Sequence, residues 1–598
     1  LILKISVKQL TKKQAIKLKG GNLMDANIWK KFENWSSSEY IDAEDRKELE
    51  QIKDDAKEVE DRFYTDLEFG TGGMRGIRGV GTNRINKYIV KKAAQGIANY
   101  MLKMDAKAAV ERGVVIAYDC RIGSYEYSLN MALVFAANGI KTNLFESLRS
   151  TPELSFAVRE LGTMVGVMVT ASHNPKEYNG FKVYWEDGGQ VVEPHASEIV
   201  KEVYAVESFD DIKAMTQKEA EEKGLLKFVG ESVDDRYIEA IKKEAINTEV
   251  PGKKDFKIVY SPLHGTGKRP LQRVMKEMGF ESLYTVAEQE EPDGTFPTCD
   301  YANPEDPAVF KLGIELAEKV GSKLCMANDP DADRIGIAVK RKNGEWVYPN
   351  GNQVGLLLMN YILENKKDIP ENGAVISTVV STPMLDVVAA DKGVKMFRTL
   401  TGFKYIGEKI LEFETGKIDG TYLFGFEESY GYLVGTHARD KDAIVSTMLI
   451  AEMAAYYESR GTSIIEELEK LYDKYGWYKE GIQAITMSGK EGAEKIQNIM
   501  KSLRENMPVE VLGKKVKKVR DFQLQKDYDK IAGEEYPIEL PKSNVIQMIL
   551  EDGTYITARP SGTEPKIKYY YGINAKTEAE AEKKLKDTMK GFSEFLEK

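Results

Sequence analysis

Runs of β-branched and aromatic residues alternate with amphipathic stretches along most of this chain. Residues 113–118, 165–169, 256–260 and 374–380 are apolar runs of strand length, each followed by a short polar turn. Several of these turns lead into helical spacing, which predicts α/β units. The openings at 114, 256 and 374 read as weak repeats of one unit of buried strand, polar turn and helix, spaced by about 142 and about 118 residues. Upstream, residues 42–63 are charged, and Ala43, Leu49, Ile52, Ala56, Val59 and Phe63 recur at near-helical intervals before the glycine-rich stretch 70–76 breaks the pattern. The end of the chain differs. Residues 545–550, 555–559 and 566–572 read as strands separated by a turn and a loop, and a charged helix over 577–598 follows. That pattern predicts a smaller α+β domain at the C-terminus.

Composition narrows the function classes. The 598 residues allow about four domains at roughly 150 residues each. The net charge of −10 argues against nonspecific nucleic-acid binding. No apolar run approaches the ~18 residues of a membrane span; the best candidate, 443–457, is short and carries Glu452. Cys120, Cys299 and Cys325 are scattered with no CxxC pair, which argues against a disulfide framework or zinc ribbon and fits a reducing cytosol. His173, His195, His264 and His437 contain no i, i+4 pair of the kind a helical zinc site uses. Residues 1–23 hold six lysines and no acid, too interrupted for a signal peptide. Lys19-Gly20-Gly21, just ahead of Met24, can be encoded by a purine-rich stretch like a ribosome-binding site, so translation is expected to begin at Met24, with a genuine basic tail as the alternative.

Four loops carry chemistry. Thr170-Ala171-Ser172-His173-Asn174-Pro175 follows the apolar run at 165–169, which exposes a serine at a strand end where an α/β fold places nucleophiles. Lys182 returns to the same region ten residues on. Asn328-Asp329-Pro330-Asp331-Ala332-Asp333-Arg334 presents three carboxylates at i, i+2 and i+4, hard oxygen ligands suited to Mg²⁺. A calcium EF-hand would need glycine and glutamate where Arg334 and Lys340 stand, so that reading fails. Gly425-Phe426-Glu427-Glu428-Ser429-Tyr430-Gly431 sets polar side chains between glycines, able to hydrogen-bond vicinal sugar hydroxyls. Arg559-Pro560-Ser561-Gly562-Thr563-Glu564-Pro565, with Lys566 and Lys568 nearby, supplies donors for a phosphate. Together they describe phosphoryl transfer on a phosphosugar.

In this order and at these separations, the four loops resemble the signature loops of the α-D-phosphohexomutases. The resemblance covers roughly residues 66–598. It implies three related α/β domains and a C-terminal α+β domain resembling the TATA-binding-protein fold, around a central cleft. The expected limits are 1–65 for the leader and helical extension, 66–250 for a phosphoserine domain, 251–355 for a metal-binding domain, 356–478 for a sugar-binding domain and 479–598 for a phosphate-binding domain. The resemblance also implies roles. Ser172 is the serine phosphorylated in the active enzyme, and a phosphoserine oxygen joins Asp329, Asp331 and Asp333 around Mg²⁺. Arg75 matches the family's active-site arginine near the N-terminus and Arg334 faces the transferring phosphoryl group, while His173, Lys182 and Lys441 match positions proposed to move protons. Glu427 and Ser429 read sugar hydroxyls, with Thr401, Gly402 and Lys404 as a second sugar loop. Arg559, Ser561, Gly562 and Thr563 grip the nonreacting phosphate.

Within the family, Glu-Glu-Ser-Tyr-Gly at 427–431 is similar to the Glu-Glu-Ser-Phe-Gly of glucose-type mutases, and Thr-Gly-Phe-Lys at 401–404 departs from their Thr-Gly-Trp-Lys by one aromatic. The full pattern is most similar to the long subgroup of bacterial phosphoglucomutases and animal phosphopentomutases. The expected reaction is reversible conversion of glucose 1-phosphate to glucose 6-phosphate through a phosphoserine enzyme and glucose 1,6-bisphosphate, which also serves as activator. A phosphomannomutase or phosphopentomutase using the same mechanism is the alternative. A phosphatase or bisphosphate synthase on the same scaffold, and a noncatalytic sugar-phosphate sensor, are the rivals from other classes; a sensor would be expected to have lost Ser172 or the aspartates. The expected partners are small sugar phosphates in the cytoplasm, with no nucleic acid, membrane or obligate protein partner.

Overall fold

The computed structural model describes residues 15–17, 23–70, 72–487, 489–560 and 566–596. Most of the basic leader therefore lies outside the described residues; within it Ala15–Lys17 (β1) pairs antiparallel with Leu23–Asp25 (β2). No helix among the described residues is long and apolar enough to cross a membrane.

The chain divides into two compact units. The first runs to Val233 and takes in Pro292–Ala302. The helical region expected over 42–63 forms as two helices, Ala43–Ile52 and Ala56–Phe63, after an earlier one at Ala26–Ser37. The break falls where the Asp55 side chain accepts from the amides of Lys57 and Glu58 and starts a new helix. Phe32, Trp35, Leu49, Val59 and Phe63 from these helices join one core with the domain that follows. That domain holds six strands: Gly73–Ile77 (β3), Val114–Tyr118 (β4), Thr142–Phe145 (β5), Val165–Val169 (β6), Tyr178–Trp185 (β7) and Leu226–Val229 (β8), in the order β3-β7-β6-β4-β5-β8.

The second unit comprises Asp234–Glu291 and the chain from Asn303 onward. Its first sheet contains Ile258–Ser261 (β9), Leu283–Thr285 (β10), Leu324–Asn328 (β11), Ile335–Lys340 (β12) and Trp346–Val347 (β13), in the order β10-β9-β11-β12-β13. Its second contains Gly373–Thr378 (β14), Lys395–Thr399 (β15), Thr421–Glu427 (β16) and Gly431–Val434 (β17), in the order β15-β14-β16-β17. The C-terminal domain holds Trp477–Thr486 (β18), Glu510–Val511 (β19), Lys514–Asp521 (β20), Lys526–Asp529 (β21), Glu534–Pro537 (β22), Ile546–Leu550 (β23), Tyr555–Pro560 (β24) and Lys566–Ala575 (β25). All of its strand pairings are antiparallel. Helices Gly489–Glu505 and Glu578–Leu596 bury Ile496, Met500, Leu503 and Phe592 against this sheet.

One topology recurs three times. The opening strand pairs in parallel with the next two, and the fourth returns antiparallel to the third: β4 with β5 and β6, then β7; β9 with β10 and β11, then β12; β14 with β15 and β16, then β17. The repeat read at 114, 256 and 374 is thus a repeat of connectivity. Its third strands β6 and β11 are buried throughout, as their unbroken apolar runs require. Three of the four chemical loops take the same place, the link between third and fourth strands: Ser172 after β6, Asp329 to Arg334 after β11, and Glu428 to Tyr430 after β16. A strand end fixed by its sheet is a rigid platform for a short loop.

Several strand limits differ from expectation, among them the last strand, which runs on to Ala575 rather than 572. β9 starts at Ile258, not 256, and β14 ends at Thr378, so Val379 and Val380 leave the sheet. Their apolarity serves another contact: both valines pack with Phe522, Val545, Tyr555 and Tyr570 of the C-terminal domain.

Candidate active site

Ser172 occupies the first turn after β6 with a φ of 51°, a left-handed backbone that a non-glycine residue keeps only when its surroundings hold it. Thr170 Oγ1 accepts from the Ser172 amide at 2.8 Å and donates to Asp119 Oδ2 at 2.6 Å. Arg121 holds the loop from the other side. Its Nη1 donates to the carbonyls of Pro175 and Tyr178 at 2.9 and 3.0 Å, and its Nη2 to that of Ser172 at 2.5 Å and to that of Asn174. Arg121 pairs with Asp119 across 3.5 Å, and its guanidinium lies 5.1 Å from the centre of the Phe296 ring. Burial pushes the Asp119 carboxyl up, while Arg121 and the hydrogen bonds from Thr170 and Ser124 pull it back.

Around the serine, Oγ lies 3.2 Å from His173 Nδ1, and the His173 ring meets Tyr301 edge-on at 5.7 Å. Arg75, exposed on β3, donates to Asn174 Oδ1 at 3.3 Å. Lys182 is buried on β7, in register with Gly73 of β3. The structure thus gathers Ser172, His173 and Arg75 about one loop, with Lys182 on a strand that supports it.

In the second unit, Asp329, Asp331 and Asp333 are buried, and their carboxylate oxygens come within 4.8 Å of one another. Asp329 Oδ1 accepts from the amides of Asp333 and Arg334 at 3.1 and 3.0 Å, which curls the loop, and Ala332 adopts a φ of 51° at its tip. Burial first, then Asp331 and Asp333, push the Asp329 carboxyl well above the ordinary range. Three converging buried carboxylates need a cation, and an all-oxygen donor set suits a hard divalent one. Lys441 Nζ supplies positive charge there, 3.1 Å from both Asp333 Oδ2 and Asp440 Oδ1. Burial opposes its charge, but Asp333, Asp440 and Glu427 hold it above the ordinary lysine value. Gly431 leaves room for the lysine stem, since a Cβ there would lie 2.0 Å from Lys441 Cδ. Arg334 Nη1 is held at 2.7 Å by Glu305 Oε1.

Glu427, buried at the end of β16, accepts the Gly402 amide at 2.7 Å, so the two sugar loops are tied to one another. Gly402 sits at a φ of 124°, where a side chain would be strained. The Thr401 hydroxyl is buried with no hydrogen bond among the described residues, and Lys404 Nζ lies over the Tyr405 ring at 5.0 Å. Ser429 is half-buried at the loop tip, followed by Tyr430 at a φ of 65°. The Tyr430 carbonyl accepts the Ile335 amide at 3.0 Å, a direct backbone link between the sugar loop and the aspartate loop. Arg559 on β24 stands opposite Lys568 on β25 and donates to the Tyr570 hydroxyl at 3.5 Å. Burial pushes Lys568 down, and Arg559 and Lys566 add to that against the opposing pull of Glu305 and Glu428. Ser561, Gly562 and Thr563 lie outside the described residues.

Comparison with known proteins identifies the family. The sequence matches phosphoglucomutase/phosphomannomutase alpha/beta/alpha domain I over residues 66–209, domain II over 235–344 and domain III over 350–475. It is 37% identical over 508 residues to a phosphoglucomutase of Staphylococcus saprophyticus, covering 85% of this chain and 90% of that one. It is 36% identical over 550 residues to a phosphoglucomutase of Staphylococcus aureus strain MRSA252, covering 92% and 96%. The chain belongs to the phosphoglucomutase/phosphomannomutase family. Among solved structures, parafusin from Paramecium, an exocytosis-sensitive phosphoprotein and phosphoglucomutase, aligns with a TM-score of 0.62 at 19% identity over 86% of this chain and 92% of its own. That likeness shows the fold.

Three residues that hold these candidate side chains in place are not evident from the sequence. Arg121 and Asp119 frame the serine loop, and the polar turn Asp119-Cys120-Arg121 directly after a buried strand was the available signal. Glu305 carries no local pattern and is found only through its contact with Arg334.

Proposed function

We propose that this chain is a phosphoglucomutase, interconverting glucose 1-phosphate and glucose 6-phosphate through a phosphoserine at Ser172 and a glucose 1,6-bisphosphate intermediate. The observation that carries the reading is the buried convergence of Asp329, Asp331 and Asp333 beside Lys441 and Arg334, a cation site flanked by fixed positive charge. Family membership at 36–37% identity to phosphoglucomutases supports the substrate.

Each residue then has a task. Ser172 gives its phosphoryl group to the free hydroxyl of the sugar phosphate and receives the other phosphate back. His173, Lys182 and Lys441 move or hold protons, and Arg75 and Arg334 match the phosphoryl oxygens. Asp329, Asp331 and Asp333, with a phosphoserine oxygen, would hold Mg²⁺, which when bound supplies further charge against those oxygens. Glu427, Ser429, Thr401, Gly402 and Lys404 read the sugar. Arg559, Ser561, Gly562 and Thr563, backed by Lys568, grip the phosphate that is not reacting. This grip must accept either end of the sugar, which is why two sugar loops serve it. Glucose 1,6-bisphosphate acts as activator by phosphorylating Ser172. The scattered cysteines support a cytosolic setting.

Steady-state kcat/KM on glucose, mannose and ribose 1-phosphates with matched bisphosphate activator tests the substrate. Glucose and mannose differ only at C2, so the expected preference is about 10- to 200-fold for glucose. A higher value for mannose or ribose 1-phosphate would overturn the sugar assignment and leave the phosphoserine mechanism standing.

A further inference from the structure

Between β9 and the helix Lys268–Glu277 runs the loop Pro262-Leu263-His264-Gly265-Thr266-Gly267, to which the reaction above assigns no task. It is strained. Leu263 and His264 are consecutive left-handed residues with φ of 44° and 62°, both buried. Ser261 Oγ accepts the Leu263 amide at 3.0 Å and donates to Gln289 Oε1 at 2.7 Å, and the Gln289 carbonyl accepts the His264 amide at 2.9 Å.

What this loop delivers is a grip on the aspartate loop. The Thr266 amide and the Thr266 hydroxyl both donate to the Pro330 carbonyl, at 2.9 and 3.1 Å. Gly265 comes so close that a Cβ would lie 2.4 Å from Pro330 Cα. On the other side of Asp329, the Tyr260 hydroxyl donates to Asn328 Oδ1 at 2.8 Å, and Gly267 leaves room for that hydroxyl, 2.5 Å from where its Cβ would be. The Pro330 carbonyl belongs to the peptide plane that leads into Asp331, so holding it fixes where that carboxylate emerges. Without such a hold, two like charges would relax by swinging apart.

We propose that Thr266 is a positioning residue for the cation site: with Gly265 it locks the Pro330 carbonyl and keeps Asp329 and Asp331 convergent before the cation arrives. This rests on the cation-site reading, and the test separates the two. The full-length protein is titrated calorimetrically with Mg²⁺. Thr266→Val removes the hydroxyl donor and keeps the amide; it should weaken Mg²⁺ binding about tenfold, the low end of the ~10–100-fold range for residues that orient metal ligands. Thr266→Ser, which keeps the hydroxyl, should bind nearly as wild type does, and the KM for sugar phosphate at saturating Mg²⁺ should not move. Thr266→Ala serves as the same test should the valine methyl disturb the packing. In the same titration Asp331→Asn must lose affinity; if it does not, the cation-site reading falls. If Asp331→Asn weakens binding while Thr266→Val and Thr266→Ala match wild type, the positioning proposal falls and the site stands. Equal losses in the serine and valine variants would also overturn it.

Discussion

Glu480, on β18, makes the stability of this protein depend on pH in a direction that can be checked. Its Oε1 is buried with no hydrogen bond among the described residues. Burial pushes its carboxyl up to about 7, against a smaller pull from the Thr382 hydroxyl, its own backbone and Lys479. Tyr472 and Tyr555 are the other ionisable groups that feel it. The position lies on the seam where the C-terminal domain meets the turn after β14: Gln547 Nε2 donates to the Val379 carbonyl at 2.8 Å and the Tyr555 hydroxyl to that of Val380 at 3.0 Å. A raised value in the folded state means that folding favours the protonated acid. The stability it supports is therefore complete below the ordinary glutamate value, falls as pH rises towards 7 and is gone above it, with an upper bound of about 3 kcal/mol. Glu480→Gln keeps the shape and cannot ionise. Hydrogen exchange of the β18 and β24 amides reports opening of this domain. At pH 4 variant and wild type should differ by less than about 0.5 kcal/mol, and at pH 8 the variant should be more protected by about 1–3 kcal/mol. The same difference at both pH values would refute the reasoning.

Other consequences follow from single contacts. Arg121→Lys keeps the charge but loses the fork that reaches four carbonyls, so it should cost about 2–3 kcal/mol and slow phosphoserine formation; single-turnover labelling and thermal melts that match wild type would contradict the role of Arg121. Glu305→Gln releases Arg334 from a partly exposed partner, so KM for sugar phosphate should fall about two- to fivefold with kcat little changed; steady-state kinetics decide, and an unchanged or higher KM counts against it. Chelator-treated protein should lose mutase activity and regain it with Mg²⁺; full activity in chelator contradicts the cation site.

The four loops were legible because each concentrates distinctive side chains in a few residues directly after an apolar run. Ser172 and the three aspartates need only a strand end and a turn, both local features. Arg121 was not legible, because what it binds is the backbone of residues about fifty positions away, and a carbonyl has no signature in sequence. Glu305 escaped because its partner Arg334 lies 29 positions further along the chain, with no local pattern joining the two. Val379 and Val380 have the pattern of a strand because apolarity reports burial, not backbone conformation, and here the burial comes from another domain. The Thr266 grip on Pro330 is a matter of backbone approach, visible only once Gly265 and Gly267 are seen to have no space for a Cβ.

The most direct measurement follows the phosphoryl group itself. The protein is incubated with isotopically labelled glucose 1,6-bisphosphate, and the labelled residue is found by peptide mass spectrometry. Label on Ser172, discharged by glucose 1-phosphate or glucose 6-phosphate, is the predicted result, with Ser172→Ala folding normally, taking no label and losing at least ~10³-fold in mutase activity. Label on another residue, or near-normal activity in Ser172→Ala, would contradict the account.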